Sequence, residues 1–390
     1  LIDEVRISNT ARSDAWVKAS YNVGNNPLGT TPITTVTGLN AGGNLTLTGK
    51  PTDATGTPSI QAAIDAIGTV GGESTINVTG GNYEEQLDIG KTITLQGCGT
   101  STIDVSNFGD SGGTGYGINV FAPNVTIDGF EIIGIPDDDT YSWDIRRRSN
   151  SNPTIQALSG ADGLTVENCV FNVNSGKKGN EALFVNGGVS DVTFTGNIVN
   201  NYIQGVGARG PVNNLVVNDN EFNIAYIRND NVGEDSHTEI VGRAIQLWYG
   251  DGLTITDNIF NGPGTFDEAW TDADLVNVYA EADFIGYFHS CGDYTGTATV
   301  TVTGNEISNF YIGMATFADG GIMSDNNVHN NLIGLQLGQE SGVWATAPAA
   351  GVLITNNDIK NNKRGIWVQN FVSDGLAAHY NNISGNTEYG

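Results

Sequence analysis

The residues equipped for acid–base, metal or sugar chemistry gather in three stretches of this 390-residue chain. The first, "PDDDTYSWDIRRR", holds Asp137, Asp138 and Asp139, then Tyr141, Trp143 and Arg146. The second, "RNDNVGEDSHTE", holds Asp235 and His237. The third runs from Asp267 through Trp270 to Asp283 and His289, and Trp248 with Tyr249 stands between the second and third. Asp137 to Asp139 form an oxygen cluster of the kind that holds Ca²⁺, although the fixed DxDxDG spacing is missing. Tyr141, Trp143, Trp248, Tyr249 and Trp270 are candidate sugar-stacking faces. Beside carboxylates and Arg, they suit an acidic polysaccharide through stacking and charge-assisted hydrogen bonds. Arg146, Asp235, His237 and Asp283 are candidate acids and bases for a lyase or hydrolase. Solvated surface loops would carry the same residues, so no catalytic residue is assigned.

Charge narrows the partners. Acidic residues number 43 against 16 basic ones, a formal charge of −27. Nucleic acid is excluded, because its affinity comes largely from Lys and Arg on phosphates. An anionic membrane surface is disfavoured for the same reason. No run of apolar residues is long enough for a membrane helix. Cys98, Cys169 and Cys291 form neither a disulfide framework nor a CxxC pair. His237, His289, His329 and His379 are scattered and HExxH is absent, which disfavours zinc. Asn44, Asn77, Asn124 and Asn382 head N-x-S/T sequons, candidate glycan sites in an extracellular protein.

The elements that must position these residues are written in a repeat. "LTITDNIFNG" at 253–262 returns as "VTFTGNIVNN" from Val192, "LVVNDNEFNI" from Leu215, "VTVTGNEISN" from Val300 and "VLITNNDIKN" from Val352. Counting its first residue as offset 0, apolar residues fall at 0, 2 and 7. A turn residue stands at 4, and Asn recurs at 5: Asn197, Asn220, Asn258, Asn305, Asn326, Asn357 and Asn381. Offsets 0 and 2 share one strand face. Asn at offset 5 tolerates a left-handed bend, and its amide can donate and accept along a stack. A second apolar segment follows in many units, as in "EALFVN", "RAIQLWYG", "IGLQLG" and "RGIWVQN". Each unit thus predicts three short strands and three corners, and stacked units would form one continuous core. Long spacings place insertions at roughly 135–158, 227–241 and 262–298, all on one corner.

This pattern resembles the right-handed parallel β-helix (pectate-lyase-like) superfamily, seen here in "TGNIV" and "TGNEI" and covering about residues 75–390. The fold class expected is all-β: a right-handed parallel β-helix solenoid of about ten coils with a short N-terminal capping helix. "TPSIQAAIDAIG" supplies that helix, N-capped by Ser59. The superfamily's catalytic signatures are mostly missing: there is no GHG with paired Asp and no RxPxxR. "GNYEE" fits the pectinesterase GxYxE pattern and "DFIG" is similar to that family's DFIFG, but the QDTL-type motif is absent. Residues 2–22 resemble the closing tail of a laminin-G or concanavalin-like domain.

The expected organisation is therefore residues 1–25 as the extended tail of a truncated preceding sandwich domain, 26–56 as linker and first strands, and 57–390 as capping helix plus C-terminally truncated β-helix. The expected protein is secreted or at the cell surface: a structural rod, adhesin or polysaccharide-binding scaffold, non-catalytic. The alternative is a carbohydrate-active enzyme on acidic polysaccharide. No cofactor is certain, and Ca²⁺ is the candidate. Polysaccharide or neighbouring surface-protein domains are the expected partners. Self-association by strand addition is a further expectation.

Overall fold

The computed structural model describes residues 34–40, 43–47, 59–67, 74–109, 115–136, 152–225, 227–232, 237–264, 282–289, 300–316, 320–337, 351–368 and 375–388. Among the described residues one short helix, α1 (Ile60–Ala66), precedes a stack of short strands. Among the described residues, the regular coils have three strands. In one they are Val300–Thr303, Glu306–Ser308 and Ile312–Thr316; in the next, Ile322–Ser324, Asn327–His329 and Ile333–Leu337. Like strands pair in parallel and in register: Val302 with Met323 and Ile354, Ile307 with Val328 and Ile359, Met314 with Leu335 and Ile366. Three parallel sheets result, and the chain is a parallel β-helix.

Inward side chains fill the coil. Leu253 and Ile255, at offsets 0 and 2, are buried, as is Phe260 at offset 7. Phe194, Phe222 and Phe260 stack up the interior, with centroids 6.1 and 5.2 Å apart. A single coil cannot bury these faces, so the stack is the folding unit.

The corners explain the repeat, with one correction. The left-handed residue at the first corner is offset 4: Asp219, Asp257, Asp325 and Asn356 have φ of 56–57°, and Gly196 and Gly304 share that place. Among the seven ladder Asn residues at offset 5, none has positive φ. They are selected for their amides. Asn197, Asn220, Asn258, Asn305, Asn326, Asn357 and Asn381 run amide to amide at 2.9–3.1 Å. Each Oδ1 also accepts the backbone N–H at the same corner of the coil before, as Asn305 Oδ1 does from Asn258 and Asn197 Oδ1 from Cys169. Each Nδ2 also donates to a carbonyl of the preceding coil, as Asn305 does to Ile255. Every amide atom thus has partners in a buried corner, where an unmade bond is costly. A second ladder, Asn331–Asn362–Asn386, occupies the next corner five residues on. A third, Asn172–Asn200–Asn223–Asn261, lies half-buried on the outside of the second sheet.

The helix is clamped at both ends. Ser59 Oγ accepts from Ala62 N, and the Glu85 carboxylate accepts from Ser59 Oγ, Ile60 N and Gln61 N. Lys91 Nζ donates to the carbonyls of Ile64, Asp65 and Ile67. An anion at the N-terminus and a cation at the C-terminus both oppose the helix dipole. "GNYEE" is therefore explained at Glu85 by helix capping rather than by esterase chemistry. Upstream, Thr34–Asn40 pairs antiparallel with Gly43–Leu47 and with Ser74–Glu84.

All three insertions start between second-sheet and third-sheet strands, but residues 290–298 of the third follow the third-sheet strand Ala282–His289. Their bounds need correction, because strand pairing extends into them. Pro153–Ala157 and Ala282–His289 are third-sheet strands. Ile227–Val232 forms an antiparallel hairpin with the start of His237–Asp251. His237, Asp283 and His289 therefore sit on strands, not in loops.

Candidate functional site

Asp137, Asp138, Asp139, Tyr141, Trp143, Arg146, Asp235 and Trp270 lie outside the described residues. Trp248, Tyr249, His237 and Asp283 are placed by their backbones alone: the first three on His237–Asp251, Asp283 opposite Val241 on the neighbouring coil. Asn44 is likewise a strand position, in Gly43–Leu47. Asn124 is exposed at φ 53° and Asn382 is exposed, while Asn77 is half-buried. Among the described residues, no group of three or more His, Cys, Asp or Glu is arranged to hold a metal ion.

The third sheet carries a different constellation. Register aligns "EALFV" at 181–185 with "QGVGA" at 204–208 and "RAIQL" at 243–247. The pattern is polar, small, apolar, variable, apolar. The small residue turns inward where space is short: a Cβ on Gly205 would strike Ala244 O and the Phe222 ring. The first and fourth residues turn outward. One file in register is Glu181–Gln204–Arg243, which continues through the core residues Ile312 and Ile333 to Arg364. The other is Asn119–Gln156–Phe184–Gly207–Gln246, continuing through Ala315 and Gln336 to Trp367.

These outward residues are nevertheless buried. Glu181, Phe184, Gln246 and Gln336 are at most 1% exposed, and Arg243 is 3% exposed. An outward sheet face normally meets water and carries solvated side chains. Glu181 Oε1 accepts from Gln204 Nε2 at 2.7 Å. Glu181 Oε2 and Gln246 Oε1 are buried with no hydrogen-bond partner. Both side chains of the Glu181–Gln204 pair lie over Gly207, where any Cβ would collide with them. Gly207 is absent from the left-handed residues, so it is kept for space and not for conformation.

Burial drives the electrostatics. Loss of water pushes the Glu181 carboxyl well above its ordinary value, and the charge of Arg243 only partly opposes this. Burial lowers Arg243 to about 9, with Glu181 opposing, so the guanidinium stays cationic at neutral pH. Burial thus biases Glu181 toward its protonated form, against the pull of Arg243. Perturbed carboxyls of this kind gather at functional sites.

The cysteines carry no comparable chemistry. Cys169 is fully buried and its thiol is pushed up to about 12, chiefly by burial. Its backbone N–H donates to Asn197 Oδ1, so it caps the first ladder. Cys98 is only half-buried, less enclosed than a small core residue would be.

Sequence reading placed chemistry in the insertions and treated Glu181, Arg243 and Gln246 as ordinary strand residues. The available signal was the polar residue at the head of "EALFV" and "RAIQL", in segments otherwise apolar.

The family described as "Right handed beta helix region" matches residues 243–390. Among solved structures, a rhamnogalacturonan lyase superposes with a TM-score of 0.50 at 12% identity, covering 78% of each chain. A tailspike protein from Acinetobacter baumannii bacteriophage Fri1, a capsular polysaccharide depolymerase, gives 0.46 at 10% identity, covering 81% of this chain and 57% of that one. PfbA, a surface adhesin of Streptococcus pneumoniae, gives 0.43 at 11% identity, covering 85% and 88%. No curated protein sequence matches the chain. The likeness is one of fold, and the solenoid is the right-handed parallel β-helix that its repeats predict.

Proposed function

We propose that this chain is a polysaccharide-binding β-helix module, secreted or at the cell surface, whose binding face is the outer side of the third sheet. The observation that carries this is the buried polar patch of Glu181, Gln204, Arg243 and Gln246. Desolvated polar atoms without partners cost stability, and binding a ligand is one way to offset that cost. Phe184, buried beside them, adds an apolar side chain to the patch. Among the described residues no helix is long and apolar enough to cross a membrane.

The raised pKa of the buried Glu181 carboxyl favours a second reading, a carbohydrate-active enzyme, since a general acid at a glycosidic oxygen needs a carboxyl whose pKa is raised. One experiment addresses both. The purified chain is incubated with a panel of neutral and acidic polysaccharides, with Ca²⁺ or with chelator. Co-sedimentation, new reducing ends and unsaturated-uronate absorbance are then followed. Binding without product supports the module reading. Product makes the chain an enzyme. Neither binding nor product across the panel rejects both readings and leaves a structural rod.

A further inference from the structure

We propose that Phe121, Asp88 and Tyr116 form an open subsite for one uncharged, hydroxyl-bearing sugar ring at the N-terminal end of the third sheet. This rests on the reading that the outer side of that sheet binds polysaccharide. It names an accessible contact on that face and the class of sugar the contact takes.

Three observations converge. First, an aromatic ring is presented to solvent and braced from beneath. Phe121 is 46% exposed. Val120 pairs with Ile89, and Phe121 N donates to Ile89 O, so the register continues and sets Phe121 beside Gly90. A Cβ on Gly90 would lie 2.4 Å from the Phe121 ring, so the ring rests on the bare backbone of the preceding coil. Gly90 is absent from the left-handed residues, so it is kept for space. With one side on that backbone and nearly half of the residue open, the ring offers a fixed face for stacking.

Second, groups able to bond ring hydroxyls stand on the same outer face. Asp88 is exposed between buried Leu87 and Ile89. It lies two residues before Gly90, about 6–7 Å along the sheet from the glycine under the ring. Tyr116 Oη is 3.5 Å from Asp88 Oδ2, too long a contact to saturate either group. Asn119, the partner of Asp88 in register, bonds Tyr116 through its side chain.

Third, these groups are positioned in advance. Gln61 on α1 holds the Asp88 backbone: its Oε1 accepts from Asp88 N at 2.8 Å and its Nε2 donates to Asp88 O at 3.3 Å. Gln86 Nε2 donates to Tyr116 O at 2.8 Å. These bonds engage main-chain groups and leave the Asp88 carboxylate and the Tyr116 hydroxyl for a ligand. Less ordering then remains to be lost on binding.

Charge selects the ring. The Asp88 carboxylate accepts from hydroxyls, whereas a uronate beside it meets like charge. Lys91 does not offset this, because its Nζ is engaged by the carbonyls of Ile64, Asp65 and Ile67. The formal charge of −27 adds repulsion at longer range. Neutral sugars therefore replace the acidic ones at this subsite.

The test is calorimetric titration of the intact protein with β-glucan, galactomannan, polygalacturonate and alginate oligosaccharides. At least one neutral series is expected to bind about tenfold or more tightly than either uronate series. Phe121→Leu, apolar but not aromatic, should weaken that binding about three- to tenfold, the worth of a ring contact. Phe121→Trp should keep or tighten it. Asp88→Ala should weaken it about tenfold or more, as loss of a charged acceptor. Thr193→Ala, on the outer face of the first sheet, should bind as the parent does. Phe121 and Asp88 are exposed, so their variants are expected to fold, and thermal melts check this. Uronate preference, or parent-like binding by Phe121→Leu or Asp88→Ala, overturns the subsite while leaving a polysaccharide-binding module. Failure of the parent to bind any series overturns the module reading and the subsite with it.

Discussion

Gly207 lies directly beneath the Glu181 carboxyl, and a single added methyl group would collide with Oε1 and with its donor, Gln204 Nε2. Overpacking of a closed site costs about 1–3 kcal/mol. Gly207→Ala should therefore lower stability by that order in chemical denaturation. It should also weaken any ligand that depends on Glu181. A fully stable Gly207→Ala would show that the carboxyl moves freely and that the site is not built around the glycine.

The Asn ladder is the second place where one residue holds several bonds. Asn305 accepts from Asn258 N and Nδ2 and donates to Ile255 O and Asn326 Oδ1. Asn305→Ala leaves at least two buried backbone groups unmatched, each worth about 1–3 kcal/mol. A loss of about 3 kcal/mol or more in unfolding free energy is expected. A loss below about 1 kcal/mol would mean that water replaces the amide in the corner.

Glu181 gives the stability a pH dependence of definite sign. Its folded value lies well above the ordinary 4.5, so the folded state binds a proton that the unfolded state has released. Stability contributed by this group is full below the ordinary carboxyl value and falls as pH rises through the raised folded value. Arg243 adds no slope until about 9, above which its contribution rises with pH. Denaturation followed from mildly acidic to mildly alkaline pH should show the decline in the parent. A flatter profile is expected in Glu181→Gln, and identical profiles would exclude a buried neutral carboxyl.

The capping helix depends on Glu85, which holds Ser59 Oγ, Ile60 N and Gln61 N. Glu85→Ala should cost about 1–2 kcal/mol, as loss of a cap and of a charge at the helix dipole. Amide hydrogen exchange should quicken first at Ile60 to Ala66.

Particular residues show what sequence decides here. Leu253, Ile255 and Phe260 recur at a period that only a stack of short strands can bury, so the coil is legible in one dimension. Asn258 and its counterparts mark the corner for the same reason, although its role is hydrogen bonding, and Asp257 before it takes the left-handed turn. Ser59 declares its helix through local capping. Repetition makes all of these local signals add.

The site is different because it does not repeat. Glu181, Gln204 and Arg243 are 23 and 39 residues apart in sequence, and neighbours only because parallel register places one coil on the next. Read alone, each is one polar residue at the edge of an apolar segment. Burial of these polar side chains, the raised pKa of Glu181 and its packing over Gly207 are properties of stacked strands together. Periodic hydrophobicity by itself determined the solenoid and its corners. Tertiary register alone brought Glu181, Gln204, Arg243 and Gln246 together around Gly207.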